Sequence, residues 1–206
     1  KLKSRQERRK DKSGKGILIH PKIKISEKRL HQNLFYLGMP GSGKTTLINP
    51  IIEQAISRND TCIIYDEKKE FTSLFYRPDT TILIAAFSAR SSKWNIAADV
   101  KNLAQAKVIA ASMIEVNDKE PLWGRSAQLV YVGAMMHCLN KYNDKWGWKE
   151  LADFISLDEA SMSKALQQSY PAAAKLVVEG SKTTQSLLNN LTTSLSFLDD
   201  LAVAWP

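Results

Sequence analysis

Short apolar runs alternate with polar segments over the first 85 residues of the chain. Alternating apolar positions at residues 17–20 and 22–25 predict two short strands. Three continuous apolar runs follow at residues 34–37, 61–66 and 81–85, and such runs are typical of parallel strands covered on both faces. With a helix between the first two runs, this order predicts the beginning of a doubly wound α/β sheet.

The spacing of apolar positions changes from that of strands to that of helices after Trp94. Residues 97–201 predict an all-α domain. Its helices are interrupted at residues 117–121 and 143–147, where Asn and Asp cluster with Pro or Gly. The chain therefore combines an α/β part with a helical part.

Two local signals refine the helices of the all-α domain. Ser156 followed by Glu159 is a capping-box pattern for a helix that ends before Pro171. The last helix carries an apolar stripe, and stripes of this spacing usually face a protein core. The stripe consists of Leu187, Leu188, Leu191, Leu195 and Leu198.

Charge is distributed unevenly along the chain. The 206 residues are 44% hydrophobic and carry a formal net charge of +8. Residues 1–16 contain eight Lys or Arg against two acidic residues, which accounts for most of that charge. Such a run is a solvated arm, a phosphate-binding arm or a segment beside an anionic membrane face. No apolar run approaches the ~18 residues of a membrane span, so the chain as given is expected to be soluble.

The cysteines and histidines predict structural roles. Cys62 lies in a predicted strand and Cys138 on an apolar helix face, which predicts buried, reduced thiols. The three histidines lack the spacing of metal ligands. The sequence therefore points to no zinc site and no disulfide.

One motif carries specific chemistry. Residues 38–45 match the P-loop pattern G-x-x-x-x-G-K-[ST] and stand between an apolar run and a predicted helix at residues 46–56. Backbone N–H groups and the helix N-terminus bind a polyphosphate, and glycines keep side chains out of its way. The predicted nucleotide-binding residues are Gly38, Met39, Pro40, Gly41, Ser42, Gly43, Lys44, Thr45 and Thr46.

Individual roles follow from the chemistry of a nucleoside triphosphate. Lys44 is the predicted catalytic residue, reaching the β and γ phosphates of ATP, and the Thr45 hydroxyl is a predicted ligand of Mg²⁺. Asp66 ends an apolar run, as a metal-associated carboxylate does, and is a second candidate for Mg²⁺. The alternative for Asp66 is a capping or loop-fixing role.

Further segments occur in the order and spacing of a known family. They are Tyr65 to Phe71, Ala89-Arg90 with Trp94-Asn95, Glu120 to Trp123, and Ser181 to Thr184. Together with the P-loop, they make residues 30–200 resemble the type IV coupling proteins, which are TraG/TraD-type, FtsK/HerA-related motors of conjugation and type IV secretion.

Two segments depart from the family's pattern. Where the family has Asp-Pro-Lys-Gly-Glu-Phe, this chain has Glu67 and Lys69 in place of the Pro and the Gly. Where the family has Asn-Pro-x-Asp-Ala-Arg, residues 85–90 read Ala-Ala-Phe-Ser-Ala-Arg.

The resemblance implies a RecA-like P-loop core, present as a partial parallel sheet, with an inserted all-α domain. The expected parts are a basic juxtamembrane or disordered arm at residues 1–16, the first part of the nucleotide-binding domain at residues 17–96, and the all-α domain at residues 97–201. Residues 202–206 would begin the return to the nucleotide-binding domain. The Walker B acid, the catalytic Glu and the arginine finger are expected beyond Pro206, so this chain alone is expected to hydrolyse little ATP.

For the complete protein, the resemblance implies an ATPase that uses ATP and Mg²⁺ and forms a homo-hexamer. It would recruit DNA with a relaxase, or effector proteins, and feed them to the type IV secretion channel. Upstream segments would anchor it on the cytoplasmic side of the bacterial inner membrane.

Two other functions remain open from the residues themselves. A small-molecule or nucleotide kinase with a helical lid has a similar outline and size, although no Arg-rich lid segment follows residue 100. Alternatively, residues 97–201 form a docking module for DNA or protein cargo, with the nucleotide setting its orientation.

Overall fold

The computed structural model describes residues 16–20 and 22–205. The chain divides into two compact units, one ending at Thr81 and the other beginning at Ile82. We call them the P-loop unit and the helical unit. The predicted basic arm lies outside the described residues except for Gly16, and the predicted domain boundaries remain predictions.

Within its described residues, the P-loop unit combines three helices with a small antiparallel sheet, made of strands β1 (Ile17–His20) and β2 (Ile23–Ile25). Strands β1 and β2 pair in the register Ile17 to Ile25 and Leu18 to Lys24, which confirms both short strands. The helices are α1 (Glu27–Leu30), α2 (Lys44–Ser57) and α3 (Glu70–Phe75).

The side chain of Gln54 links helix α2 to strand β1. Its Nε2 donates to the Leu18 carbonyl at 2.9 Å, and its Oε1 accepts from the Leu18 N–H at 2.9 Å. The amide thus satisfies both backbone groups of one strand residue, as a neighbouring strand would. This contact ties the helix that follows the P-loop to the sheet.

The predicted parallel sheet is not formed within residues 16–20 and 22–205, where β1 and β2 make the only sheet. Residues 34–37, 61–66 and 81–85 form no strand there. Their side chains are largely exposed, with Phe35 at 84% and Ile63 at 98%. A strand needs a neighbouring strand to pair its N–H and C=O groups. An apolar run indicates a segment that favours burial, but it does not specify which strand pairs with it.

Because residues 61–66 form no strand, the prediction that Cys62 is buried is wrong. The residue is exposed, and its thiol lies 3.6 Å from the carbonyl oxygen of Asp60. Cys138 is buried as predicted, and burial raises its pKa to about 12.

The helical unit confirms the all-α pattern with its two interruptions. Eight helices lie within its described residues: α4 (Ile96–Asp99), α5 (Leu103–Met113), α6 (Pro121–Tyr142), α7 (Trp148–Ile155), α8 (Glu159–Ser169), α9 (Pro171–Ala174), α10 (Lys182–Ser194) and α11 (Leu198–Ala204).

Helix α6 is the centre of the helical unit. Residues Val130 to Met135 are all buried, and the helix packs against α5, α7, α8, α9 and α10. A helix that is buried around its circumference must be apolar or small on every face. Despite its length, neither α6 nor any other helix in the described part of the chain is long and apolar enough to cross a membrane.

Helix capping and the final apolar stripe give one correction and one confirmation. Asp158 caps α8 by accepting a hydrogen bond from the Ser161 N–H at 2.9 Å, so the predicted capping box at Ser156 is wrong. Ser156 instead ends α7, where its hydroxyl donates to the Ala152 carbonyl. The predicted burial of the stripe is confirmed for Leu187, Leu191, Leu195 and Leu198. The stripe does not lie on one helix, however, because α10 ends before Leu195 and Leu198 begins α11.

Three tryptophans tie the beginning and the end of the helical unit to α7. The Trp148 indole N–H donates to the Trp94 carbonyl at 2.9 Å. Its ring lies 5.0 Å from the Trp94 ring and 6.4 Å from the Trp205 ring, measured between centroids. Residues far apart in sequence therefore share one aromatic cluster.

We predict that Gly133→Ala destabilises the helical unit. A Cβ at this position would lie 2.3 Å from Cδ2 of the buried Leu166 and 3.3 Å from Cβ of Ala173. Overpacking costs about 1–3 kcal/mol, and alanine returns about 1 kcal/mol of helix propensity. A contact of 2.3 Å with a fully buried side chain places the cost in the upper part of that range, so urea unfolding should show a net loss of about 1–2 kcal/mol.

Asn140→Ala is the matched control, because Asn140 is exposed on the same helix. It should leave the free energy of unfolding nearly unchanged or slightly higher. A Gly133→Ala protein as stable as the parent would contradict the close packing of α6 against α8.

Candidate nucleotide site

The glycines of the P-loop adopt conformations that other residues adopt at a cost. Gly41 and Gly43 have φ angles of +78° and +83°, in the region that favours glycine. A Cβ on Gly38 would lie 2.3 Å from the Ser42 Oγ. The loop backbone thus favours glycine at Gly41 and Gly43, and a Cβ at Gly38 would require the Ser42 side chain to move.

Lys44 folds back over its own loop. Its Nζ donates to the carbonyl oxygens of Gly38 and Met39, each at 2.8 Å. Lys44 also begins helix α2, whose first turn contains no acidic residue. The positive end of the helix dipole and the ammonium group therefore lie together, and both favour an anion.

A cleft of about 610 Å³ opens beside the loop, within the size range of small-ligand sites. One wall is the P-loop with the first turn of α2, and the other is the segment from Tyr65 to Phe71. Of the predicted binding residues, Gly38, Met39 and Ser42 do not line the cleft. Those that do are Pro40, Gly41, Gly43, Lys44, Thr45 and Thr46.

Glu70 is a residue of this cleft that the sequence analysis missed. The Thr45 hydroxyl donates to the Glu70 Oε2 at 3.2 Å, across 25 positions of sequence. Glu70 stands in the first turn of α3. The available signal was its position in the segment compared with the family's Asp-Pro-Lys-Gly-Glu-Phe, where the Glu is retained.

Asp66 is engaged in fixing the loop before α3. Its Oδ2 accepts from the Thr72 N–H at 2.6 Å and from the Thr72 hydroxyl at 2.7 Å. Partial burial works to raise the pKa of this carboxyl, but the hydrogen bonds from Thr72 and from the backbone of Phe71 and Glu70 together outweigh burial and hold the pKa below its usual value. This geometry matches the loop-fixing alternative, and a Mg²⁺ role for Asp66 stays a prediction.

Lys69 precedes α3 in a left-handed conformation. Its φ is +60°, at the position where the family's pattern has Gly. Left-handed backbone costs a non-glycine residue about 1–2 kcal/mol. The chain therefore keeps the turn that the family's Gly would make, but with a strained residue.

Other candidate chemistry in the described residues is limited. They contain no group of three or more His, Cys, Asp or Glu side chains able to hold a metal. A second cleft, of about 410 Å³, lies in the helical unit and has uncharged walls. It is lined by Trp123 of α6 and by Ser186, Asn189, Asn190 and Thr193 of α10.

Comparison with known proteins assigns the chain to a family. Residues 17–205 match the model of the type IV secretion-system coupling protein DNA-binding domain. The chain belongs to this family. A curated relative, the coupling protein TraD of Escherichia coli (strain K12), is 25% identical over 175 residues.

Solved structures of the conjugative coupling protein TrwB share the fold. An unbound form, TrwBdeltaN70, matches with a TM-score of 0.67 at 20% identity over 82% of this chain. TrwB in complex with ADP and Mg²⁺ matches with a TM-score of 0.65 at 20% identity and the same coverage of this chain. The coupling-protein resemblance drawn from the sequence is confirmed.

The chain spans only part of these relatives. It covers 24% of TraD and 39% of the unbound TrwB chain. The family assignment therefore concerns residues 17–205, and the activity of a complete protein is a matter for proposal.

We predict that Lys69→Gly stabilises the segment from Asp66 to Thr72. Glycine removes about 1–2 kcal/mol of left-handed strain and costs about 0.5–1 kcal/mol through the greater freedom of the unfolded chain, so the net gain is up to about 1.5 kcal/mol. The Thr72 amide donates a hydrogen bond to Asp66, and its hydrogen exchange should become slower.

Lys68→Gly is the control, since Lys68 is not among the described residues with positive φ. The same change of residue type should there loosen the segment and speed exchange. Equal effects of the two substitutions would show that strain at Lys69 contributes nothing.

Proposed function

We propose that this chain is the ATP-binding part of a coupling protein that recruits DNA or protein substrates and powers their transfer through a type IV secretion system. The observation that carries the proposal is a P-loop whose glycines, lysine and helix N-terminus are arranged around one cleft, within a family match over residues 17–205. The match also favours this reading over a kinase with a helical lid.

The residues of the cleft fit a nucleotide with Mg²⁺. The backbone of Gly41 and Gly43 leaves the loop open, with no atom within 4 Å of a Cβ placed on either residue. Lys44 would exchange its two carbonyl partners for phosphate oxygens, and the Thr45 hydroxyl would bind Mg²⁺. The structures of TrwB with nucleotides support the same cofactors here.

The proposed reaction is attack of water on the γ phosphate of ATP. Mg²⁺ supplies charge neutralisation when bound, and Lys44 adds a positive charge at the phosphates. The remaining groups of the site would come from a neighbouring subunit and from parts of the protein outside this chain. We further propose a homo-hexamer on the cytoplasmic side of the inner membrane, in keeping with the coupling-protein family.

A docking role for the helical unit has its own support. Residues 97–201 contain ten Lys or Arg against twelve Asp or Glu, and the cleft between Trp123 and α10 has no charged lining residue. Nonspecific DNA binding depends on cations that neutralise phosphates. The composition therefore favours protein cargo, such as a relaxase, on the helical unit, and it adds the basic residues 1–16 to the DNA contacts expected of a family described as a DNA-binding domain.

We predict that Lys44→Ala in the full-length protein abolishes ATP hydrolysis and transfer while the fold remains intact. Removal of a charge that contacts the phosphates costs several kcal/mol of transition-state stabilisation, which should lower kcat by at least about 100-fold. Lys149→Ala, which removes an exposed lysine paired with Asp153 in the helical unit, is the control. Hydrolysis by Lys44→Ala at the parental rate would refute the assignment of the loop.

We predict that residues 1–16 contribute to DNA binding and that the helical unit binds protein cargo. Deletion of residues 1–16 from the full-length protein should weaken DNA binding and flatten its dependence on salt, because phosphate-neutralising cations are lost. An isolated helical unit, residues 82–206, should retain relaxase in a pull-down. Failure of the isolated unit to bind any relaxase or effector would count against the docking role.

A further inference from the structure

The carboxylate of Glu70 touches the side chain that the proposed function assigns to Mg²⁺. Thr45 Oγ1 and Glu70 Oε2 lie 3.2 Å apart, with the hydroxyl as the donor. A threonine hydroxyl that donates its proton in one direction turns its lone pairs in another. The contact with Glu70 therefore orients the Thr45 oxygen as an acceptor.

The backbone of Glu70 is held in place by its neighbours. Lys69 turns the chain through a left-handed conformation immediately before it. Asp66 accepts two hydrogen bonds from Thr72, two positions after Glu70. The carboxylate thus stands on a short helix whose first turn is fixed on both sides.

The charges that line the cleft call for a cation beside any bound polyphosphate. Two lysines, Lys44 and Lys68, face three carboxylates, Asp66, Glu67 and Glu70. Asp66 is engaged with Thr72, whereas Glu70 points to the P-loop. A polyphosphate alone would meet repulsion from Glu70, and a divalent cation between them would reverse the sign of that interaction.

We propose that Glu70 is a positioning residue for Mg²⁺ at this P-loop: it orients the Thr45 hydroxyl and accepts hydrogen bonds from water molecules of the cation. Mg²⁺ in phosphate sites keeps several of its waters, and residues that orient its ligands contribute about 10–100-fold to metal affinity. The inference rests on the proposed nucleotide site and adds a residue to it. It gives Glu70, one of the three carboxylates in the segment Asp66 to Phe71, a role at the phosphates.

The test measures the affinity of the full-length protein for a fluorescent ADP derivative, in Mg²⁺ and in EDTA. For the parent, Mg²⁺ should tighten binding. In Glu70→Gln, the tightening by Mg²⁺ should fall about tenfold or more. Affinity in EDTA should stay equal or rise, because a negative charge near the phosphates is removed. A purely structural role for Glu70 would instead weaken binding under both conditions.

Glu67→Gln is the matched control. Glu67 lines the same cleft and carries the same charge, but no contact of Glu67 with the P-loop is recorded among the described residues. Glu67→Gln should keep the full tightening by Mg²⁺. Thr45→Ala should lose most of it, and adding Glu70→Gln to Thr45→Ala should cause a smaller loss than Glu70→Gln causes in the parent, because the orientation of Thr45 is one part of the role of Glu70.

The outcomes separate the two proposals. If the parent binds no ADP with or without Mg²⁺, the proposed nucleotide site fails. If the parent binds ADP and the tightening by Mg²⁺ is the same in Glu70→Gln, the site stands and the role of Glu70 is overturned. Additive losses in the double variant, or loss of binding in EDTA, would also overturn it.

Discussion

Helix α6 must be covered on every side, and the helical unit is organised around that requirement. Its residues Val130 to Met135 are buried without interruption, so no face can be left to water without a loss of about 25 cal/mol for each Å² of apolar surface. Gly133 lets the side chains of Leu166 and Ala173 approach the helix backbone. The five helices around α6 satisfy this requirement within residues 82–205.

The P-loop unit is held together differently. Ile17 is the single buried apolar side chain among its described residues, and several apolar side chains of residues 34–37 and 61–66 are exposed. The cleft beside the P-loop nevertheless has a defined shape, because its geometry depends on local backbone conformation and short-range hydrogen bonds. Left-handed glycines, the start of α2 and the Asp66–Thr72 contacts each act over a few residues.

This difference bears on function. A phosphate site made of backbone groups needs little apolar core around it, whereas a docking surface needs rigid elements behind it. The helical unit provides such a rigid support for the cleft between Trp123 and α10. The family model covers both the P-loop and the helical unit. The helical unit differs from the basic residues 1–16 in that its acidic and basic residues nearly balance.

The sequence alone determined the features that arise within a few residues. The P-loop, the presence of a helix directly after it, the breaks between helices and the burial of the last leucines all follow from local residue preferences and helical spacing. Helix boundaries did not follow in the same way, since Ser156 and Asp158 both suit an N-terminal cap, and in the structure Asp158 accepts the capping hydrogen bond. The family resemblance also came from sequence, because ordered motifs are visible in it.

Only the tertiary structure decided which distant groups meet. It paired β1 with β2, but among residues 16–20 and 22–205 it provided no neighbouring strands for residues 34–37 and 61–66, because an apolar run does not specify its partner. It also brought Glu70 to Thr45 across 25 positions and engaged Asp66 with Thr72. Side-chain contacts of this kind depend on how turns direct the chain through space, and residue spacing in the sequence carries no such direction.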